Sequence, residues 1–217
     1  RPGSDDGNAD GRRRHVFNSS LIYNLPTFAG QGGVKEWLLG TWTVGGIVIY
    51  ASGTPLTVFT TQPGGDLNGT HPADLGYRFH TRPLATGEPC RGSGDLGVLS
   101  PAAYTLTGYE LGNSAQQMPR GGCDGPDFFQ ADLSVYKSLP YRERFNVQLR
   151  FEIFNVFNTV NLIGWSADNF FDPPVTLDAP RNQATMVTGT GDPASTFGLA
   201  TQAREAREIQ LGVKFSF

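Results

Sequence analysis

The sequence is poor in charge. Asp, Glu, Lys and Arg make up 17% of its 217 residues, against roughly 25% in soluble domains. Its net charge of -3 offers no basic excess of the kind that nucleic-acid binding needs. It has no run of about 18 apolar residues and therefore no transmembrane helix. The longest apolar stretch, Val44 to Ala51, is shorter and contains Gly45 and Gly46. A starting Met and a signal peptide are both missing. The opening residues, Arg1-Pro2-Gly3-Ser4-Asp5-Asp6, are loop-like, and the chain reads as a piece cut from something longer. Catalytic signatures are missing too: no Gly-x-Ser-x-Gly elbow, Walker loop or His-Glu-x-x-His occurs. The expectation is a protein that is not an enzyme and carries no cofactor.

What is present is glycine, at 28 residues, and phenylalanine, at 15. That combination suits an all-β chain with long turns. The mean hydropathy of -0.28 does not exclude a membrane barrel, in which only alternate strand residues face lipid. Alternation is clearest at the end of the chain. Ile209, Leu211, Val213, Phe215 and Phe217 share one face, with Gln210, Gly212, Lys214 and Ser216 on the other. Phe145, Val147, Leu149, Phe151 and Ile153 alternate with Asn146, Gln148, Arg150 and Glu152. Phe129, Ala131, Leu133 and Val135 alternate with Gln130, Asp132, Ser134 and Tyr136. Phe17, Leu21, Tyr23 and Leu25 alternate with Asn18, Ser20 and Asn24, Ile22 being an exception. Leu38 to Val58 is strand-like but less regular, with Trp42, Val44, Val48 and Tyr50 as its apolar face and a kink at Gly53 and Pro55. Glu36 to Leu39 allows a helical turn that Gly40 stops. The period of two gives about five strands.

The connections separate two architectures. Pro26 to Lys35 and Leu139 to Glu143 are short; Thr61 to Asp127 and Thr159 to Ala206 are very long. Such loops are unusual in a compact soluble domain. In an outer-membrane barrel, periplasmic turns are short and extracellular loops long. The alternation of the two lengths runs the strand ending at Phe217 from outside to periplasm. The fold class expected is an antiparallel transmembrane β-barrel segment of about five strands with two long extracellular loops. The competing reading is a soluble β-sandwich. Against it stand strand lengths near the 9–11 residues that cross a bilayer, aromatic strand ends, and polar opposite faces that suit a wet lumen.

Several stretches then resemble one family. Gly125-Pro126-Asp127-Phe128-Phe129-Gln130-Ala131-Asp132-Leu133-Ser134 resembles the penultimate-hairpin entry of TonB-dependent outer-membrane receptors of the Oar-like type. Arg144-Phe145 through Phe154-Asn155-Val156-Phe157-Asn158 resembles that family's next strand. Phe197-Gly198 and Ala203 to Phe217 are similar to its closing strand, and Trp42 with Ser52-Gly53-Thr54-Pro55 to an earlier strand and its exit. Asp127 stands where the family usually has Gly, and the pair Cys90 and Cys123 is not a family feature. The long loops lie outside the resemblance. It implies a barrel of about 22 strands around a plug, importing a scarce ligand with energy passed through TonB. Residues 1–217 would be its C-terminal part, roughly the last quarter of the barrel, the plug and other N-terminal domains lying outside this sequence. The expected partners are outer-membrane lipid, the barrel-assembly machinery, TonB through the missing N-terminal part, the plug domain and an unknown ligand, with no nucleic acid. The expected location is the bacterial outer membrane. The alternative is a self-standing outer-membrane or extracellular structural or adhesive β protein, with further strands from Gly97-Val98-Leu99 and Ala103-Tyr104-Thr105-Leu106.

Candidate site residues follow. Asp132, Gln148, Arg150, Glu152, Gln210 and Lys214 form the expected lumen-facing polar set. With a tight Leu139–Glu143 turn, Asp132 falls opposite Arg150 or Glu152, so an Arg150–carboxylate ion pair is expected. Phe215 and Phe217 resemble the C-terminal aromatic signal read by the barrel-assembly machinery. Cys90 and Cys123 share a loop placed outside the cell, where a disulfide is the default, worth on the order of 3–4 kcal/mol. Two free thiols or a metal site are the alternatives, and the spacing of His71 and His80 fits no zinc pattern. Asp66, Asp74, Asp168 and Asp172 show no calcium-loop spacing. Gly189-Thr190-Gly191-Asp192-Pro193-Ala194 mimics a dinucleotide fingerprint without its βαβ context. Asn18-Ser19-Ser20 and Asn68-Gly69-Thr70 match glycosylation acceptors. Arg12-Arg13-Arg14 is either a contact for anionic head groups or a solvated strand end.

Overall fold

The computed structural model describes residues 7–9, 11–26, 33–58, 82–105, 117–141, 145–165 and 197–217. Its elements are β1 (Val16–Asn24), a short helix α1 (Val34–Leu39), β2 (Trp42–Ala51), β3 (Pro55–Leu56), β4 (Leu84–Ala85), β5 (Tyr104–Thr105), β6 (Cys123–Asp124), β7 (Phe128–Tyr141), β8 (Phe145–Phe154), β9 (Leu162–Trp165), β10 (Ala200–Ala203) and β11 (Glu208–Ser216). The chain divides into two compact units.

One unit comprises residues 14–52, 127–161 and 204–217. It is a five-stranded sheet in the order β1-β2-β7-β8-β11, with every neighbouring pair antiparallel. The fold is an open antiparallel β-barrel segment, and β1 and β11 are its edges among the described residues. β1, β2, β8 and β11 have 9, 10, 10 and 9 residues, which matches the roughly 9–11 that cross a bilayer.

The pairing registers align the alternating patterns across all five strands. Leu21, Gly46, Leu133, Ile153 and Ile209 form one continuous cross-strand row. Tyr23, Val44, Val135, Phe151 and Leu211 form the next row on the same face. That face is apolar and open: Leu211 is 80% exposed and Phe217 99%. An apolar surface of this extent belongs against lipid. Ile22 falls on the opposite face with Ile47 and Ile49, since Ile22 aligns with Gly45 and Ser134. The polar face therefore carries an apolar stripe along β2.

Two boundaries differ from the sequence reading. Leu38 and Leu39 are helical, and the strand begins only at Trp42. Gly40 closes the helix, donating its N–H to the Glu36 carbonyl at 2.9 Å. The β7–β8 link is residues 142–144, shorter than Leu139–Glu143, because β7 runs on through Pro140 to Tyr141. Pro140 is tolerated there because it lies beyond Lys137, the last β7 residue paired with β2, so its missing N–H breaks no ladder on that side.

The other unit comprises residues 1–13, 53–126 and 162–203, the territory of the long connections. It has a core of its own: Val58, Val98, Leu99, Ala103, Tyr104, Cys123, Phe197 and Ala200 are buried together. Three small ladders frame it, β3 with β6, β4 with β5, and β9 with β10. Tyr104 and Phe197 meet edge to face at 5.8 Å, joining the two long connections. Of the extra strands expected there, Tyr104–Thr105 forms β5, and Gly97 and Leu99 make single bridges. Gly53 passes so close to Gly125 that a Cβ would fall 1.9 Å from the Gly125 carbonyl oxygen. Only a glycine allows this crossing where the chain leaves β2.

Candidate functional site

The polar face of the sheet is the strongest candidate. Tyr136 aligns with Arg150, and Arg150 with Gly212. Ser134 aligns with Glu152, and Glu152 with Gln210. Ser138 aligns with Gln148, and Gln148 with Lys214. The registers thus place Gln148, Arg150, Glu152, Gln210 and Lys214 on one face, in adjacent rows. Asp132 shares that face one step further along β7, opposite Ile47 of β2.

The hydrogen bonds build a short network across β7 and β8. The Arg150 Nε donates to Gln148 Oε1 at 2.9 Å, and its guanidinium stands 5.5 Å from the Tyr136 ring centre. The Tyr136 hydroxyl donates to Glu152 Oε1 at 2.7 Å. One cation, one carboxylate and two neutral groups therefore lie within a few residues of one another. Gln210 Nε2 donates to Glu208 Oε1 at 2.6 Å on the neighbouring strand. Such a surface presents both donors and acceptors to a polar solute or a polar protein surface.

The expected pairing of Arg150 with Asp132 is not formed. The registers put Leu133 opposite Ile153, so Asp132 falls level with the end of β8, two residues past Glu152 and four past Arg150. Arg150 takes Gln148 and Tyr136 instead. Asp132 is engaged elsewhere: it accepts from Gln130 Nε2 at 3.0 and 3.1 Å and from the Asn155 backbone N–H at 2.9 Å. Arg150 shares the polar face of the sheet with Glu152 and Gln148, but its expected partner is not the one it takes.

The asparagines after β8 are a second polar cluster, one that strand alternation does not reveal. Asn155 and Asn158 both have positive φ, 52° and 53°, a conformation that asparagine tolerates better than most residues. The Asn155 side chain is buried. It accepts from the Thr159 N–H at 2.9 Å and donates to the Thr159 and Glu205 carbonyls at 3.0 and 3.3 Å. Asn158 Oδ1 accepts from the Arg207 N–H at 3.0 Å. Asn161 brackets Phe129, accepting from its N–H at 2.9 Å and donating to its carbonyl at 2.8 Å. The Phe-Asn-Val-Phe-Asn sequence is thus a turn that ties β8 to the approaches of β7 and β11. Its signal in the sequence is the repeated asparagine directly after an alternating run.

The disulfide is formed. Cys90 and Cys123 are bonded, with their Cα atoms 6.0 Å apart. Beside them, burial in the core pushes the Tyr104 phenol up to about 12. Arg12, Arg13 and Arg14 are all exposed. The Arg12 guanidinium donates to Asn8 Oδ1, and the Arg14 backbone N–H to Ser52 Oγ at 2.9 Å. His71, His80, Asp66, Asp74, Asp168, Asp172, Asn68-Gly69-Thr70 and Gly189 to Ala194 lie outside the described residues. Phe215 and Phe217 are exposed, and Phe215 aligns with Val147 on the apolar face.

A family model described as an outer membrane beta barrel domain matches residues 1–210. Comparison with curated proteins and with solved structures gives no match.

Proposed function

This chain belongs to the outer membrane β-barrel family, and from that premise we propose that it forms the closing strands of a TonB-dependent receptor that imports a ligand. The protein is a bacterial outer-membrane protein. The observation that carries the transport reading is the division of one sheet into an open apolar face and a hydrogen-bonded polar face. In a transporter the first faces lipid and the second lines the lumen against a plug. Asp132, Gln148, Arg150, Glu152, Gln210 and Lys214 would line that lumen. The edges at β1 and β11 support a larger barrel, because an exposed strand edge inside a membrane leaves backbone groups without partners. The Oar-like sequence stretches supply the TonB assignment. Phe215 and Phe217 would carry the assembly signal, and catalysis has no part in this reading.

The experiment is in vivo cross-linking of the full-length receptor to TonB in its own cells, with and without ligand-rich medium. An adduct that forms and rises with ligand supports import. Its absence, with TonB cross-linking intact for other receptors, refutes it. A second reading, a structural or adhesive surface protein, is favoured by the disulfide-tied core built from the long connections. It predicts that deleting the gene impairs attachment and leaves uptake unchanged.

A further inference from the structure

The helix α1 has no place in a plain periplasmic turn. It is six residues long, Val34-Lys35-Glu36-Trp37-Leu38-Leu39, and it buries none of its apolar side chains. Val34 is 71% exposed, Trp37 59%, Leu38 52% and Leu39 51%. A turn facing only water gains nothing from such residues.

The way its end is fixed shows which side of the sheet it belongs to. Trp42 and Lys137 are cross-strand partners, and Lys137 aligns with Leu149 of β8. They therefore sit on the apolar face, in the row after Val44, Val135 and Phe151. From that face the Trp42 indole N–H donates to the Leu38 carbonyl at 2.9 Å. The Lys137 ammonium donates to the carbonyls of Gly40 and of Leu38, the latter at 3.4 Å, and lies 5.2 Å from the Trp42 ring centre. Next to them, the Thr41 hydroxyl donates to the Ser138 carbonyl and the Ser138 N–H to the Thr41 carbonyl at 3.1 Å. The last carbonyls of α1 are thus gripped by side chains that point to the lipid side.

Lys137 is the one charged residue of β7 on that face, and it is buried, at 5% exposure. A cation facing lipid is costly unless it sits near the interface and finds acceptors. Here the acceptors are the free carbonyls of a helix end, which carry partial negative charge. Trp and Lys together are the side chains of a membrane–water boundary. Lys137 also lies only a few residues from the 142–144 link, on the short-turn side of the sheet.

We propose that α1 is an interfacial anchor. Trp37, Leu38 and Leu39 seat in the head-group and upper acyl region of the periplasmic leaflet, continuing the apolar face of the strands, and Lys137 with Trp42 clamps the helix to that depth. The occupant is phospholipid. This inference rests on family membership and on the clamp, and it stands whether or not the barrel imports anything.

The test uses the full-length protein in isolated outer membranes. A lipid-phase diazirine and water-phase hydroxyl radicals are applied in parallel, and modification is read residue by residue by mass spectrometry. Trp37, Leu38 and Leu39 are expected to take lipid-phase label within about threefold of Leu211 and Val213, as an interfacial helix should. Water-phase oxidation of Trp37 without lipid-phase label overturns the proposal. Labelling by neither reagent also overturns it, because a protein surface then covers the helix. Lys137→Met supplies the second arm. Losing the clamp should lower lipid-phase label at Trp37 while leaving Leu211 unchanged; equal loss at both sites means a misassembled barrel and is resolved by repeating with Lys137→Arg, which keeps the cation and should restore the label at both sites. If Lys137→Arg labels both sites fully and Lys137→Met lowers neither, the clamp is refuted.

Discussion

Replacing Asn155 separates two contributions that the turn after β8 combines. The side chain makes two well-formed hydrogen bonds with Thr159 and a longer one to Glu205. At about 1 kcal/mol net for each good bond, removing the amide costs about 2–2.5 kcal/mol. Asn155 also holds φ at 52°. Alanine in that conformation costs about 1 kcal/mol more, and glycine does not. Asn155→Ala should therefore destabilise the turn by about 3–3.5 kcal/mol and Asn155→Gly by about 2–2.5 kcal/mol. The assay is hydrogen exchange with the folded protein in detergent, read at the backbone amides of Val156 and Arg207. The Val156 N–H donates to the Ala131 carbonyl and the Arg207 N–H to Asn158 Oδ1, so both keep their acceptors in the variants and report local opening without requiring global unfolding. Two results would refute the reasoning. If both variants leave protection at Val156 and Arg207 unchanged, the buried amide carries no stability. If glycine is as costly as alanine, the positive φ is not the origin of the difference.

Three other outcomes are expected. Reducing Cys90–Cys123, which closes a span of 33 residues, should lower the stability of its unit by about 3.5–4 kcal/mol in the chain-entropy model, seen as a lower urea midpoint for protease resistance of residues 82–126. Gly53→Ala should sharply reduce folded protein, because the new Cβ would meet the Gly125 carbonyl; normal yield and heat-modifiable gel mobility would count against that crossing. Burial raises the Tyr104 phenol to about 12 from about 10 unfolded, so its contribution is complete below pH 10 and is lost as pH rises towards 12. Tyr104→Phe should flatten that alkaline decline in a denaturation series across pH.

The sheet was legible in the sequence because membrane strands write their faces in alternate residues. Even Ile22, which breaks the alternation of β1, kept its place, since a period of two fixes the face of every position once one is known. The partner of Arg150 was not legible. It depends on where the link after β7 lies, and the strand outruns Leu139 to reach Tyr141. A slip of that kind preserves faces and changes neighbours. The helix was half visible: Gly40 marks its end, but only the carbonyl contacts from Lys137 and Trp42 show why it forms beside a strand. The core of the long connections was hidden because it joins Leu99 and Tyr104 to Phe197, residues with no shared period. The asparagine turn was visible as a motif and opaque as a structure, for its bonds run to Arg207, Glu205 and Phe129, far away in sequence.

The asparagine turn also marks where the last strand is fastened. β7 and β8 are joined by residues 142–144, so they can pair early and locally. β11 must return across a connection of more than fifty residues between β8 and Glu208, a slower search. From the end of β8, Asn155 donates to the Glu205 carbonyl and Asn158 accepts from the Arg207 N–H. In the folded protein the chain is therefore held just ahead of its own strand, next to the first rung of the ladder from Glu208 to Ser216. The final strand of this protein is fastened at its doorway as well as along its edge.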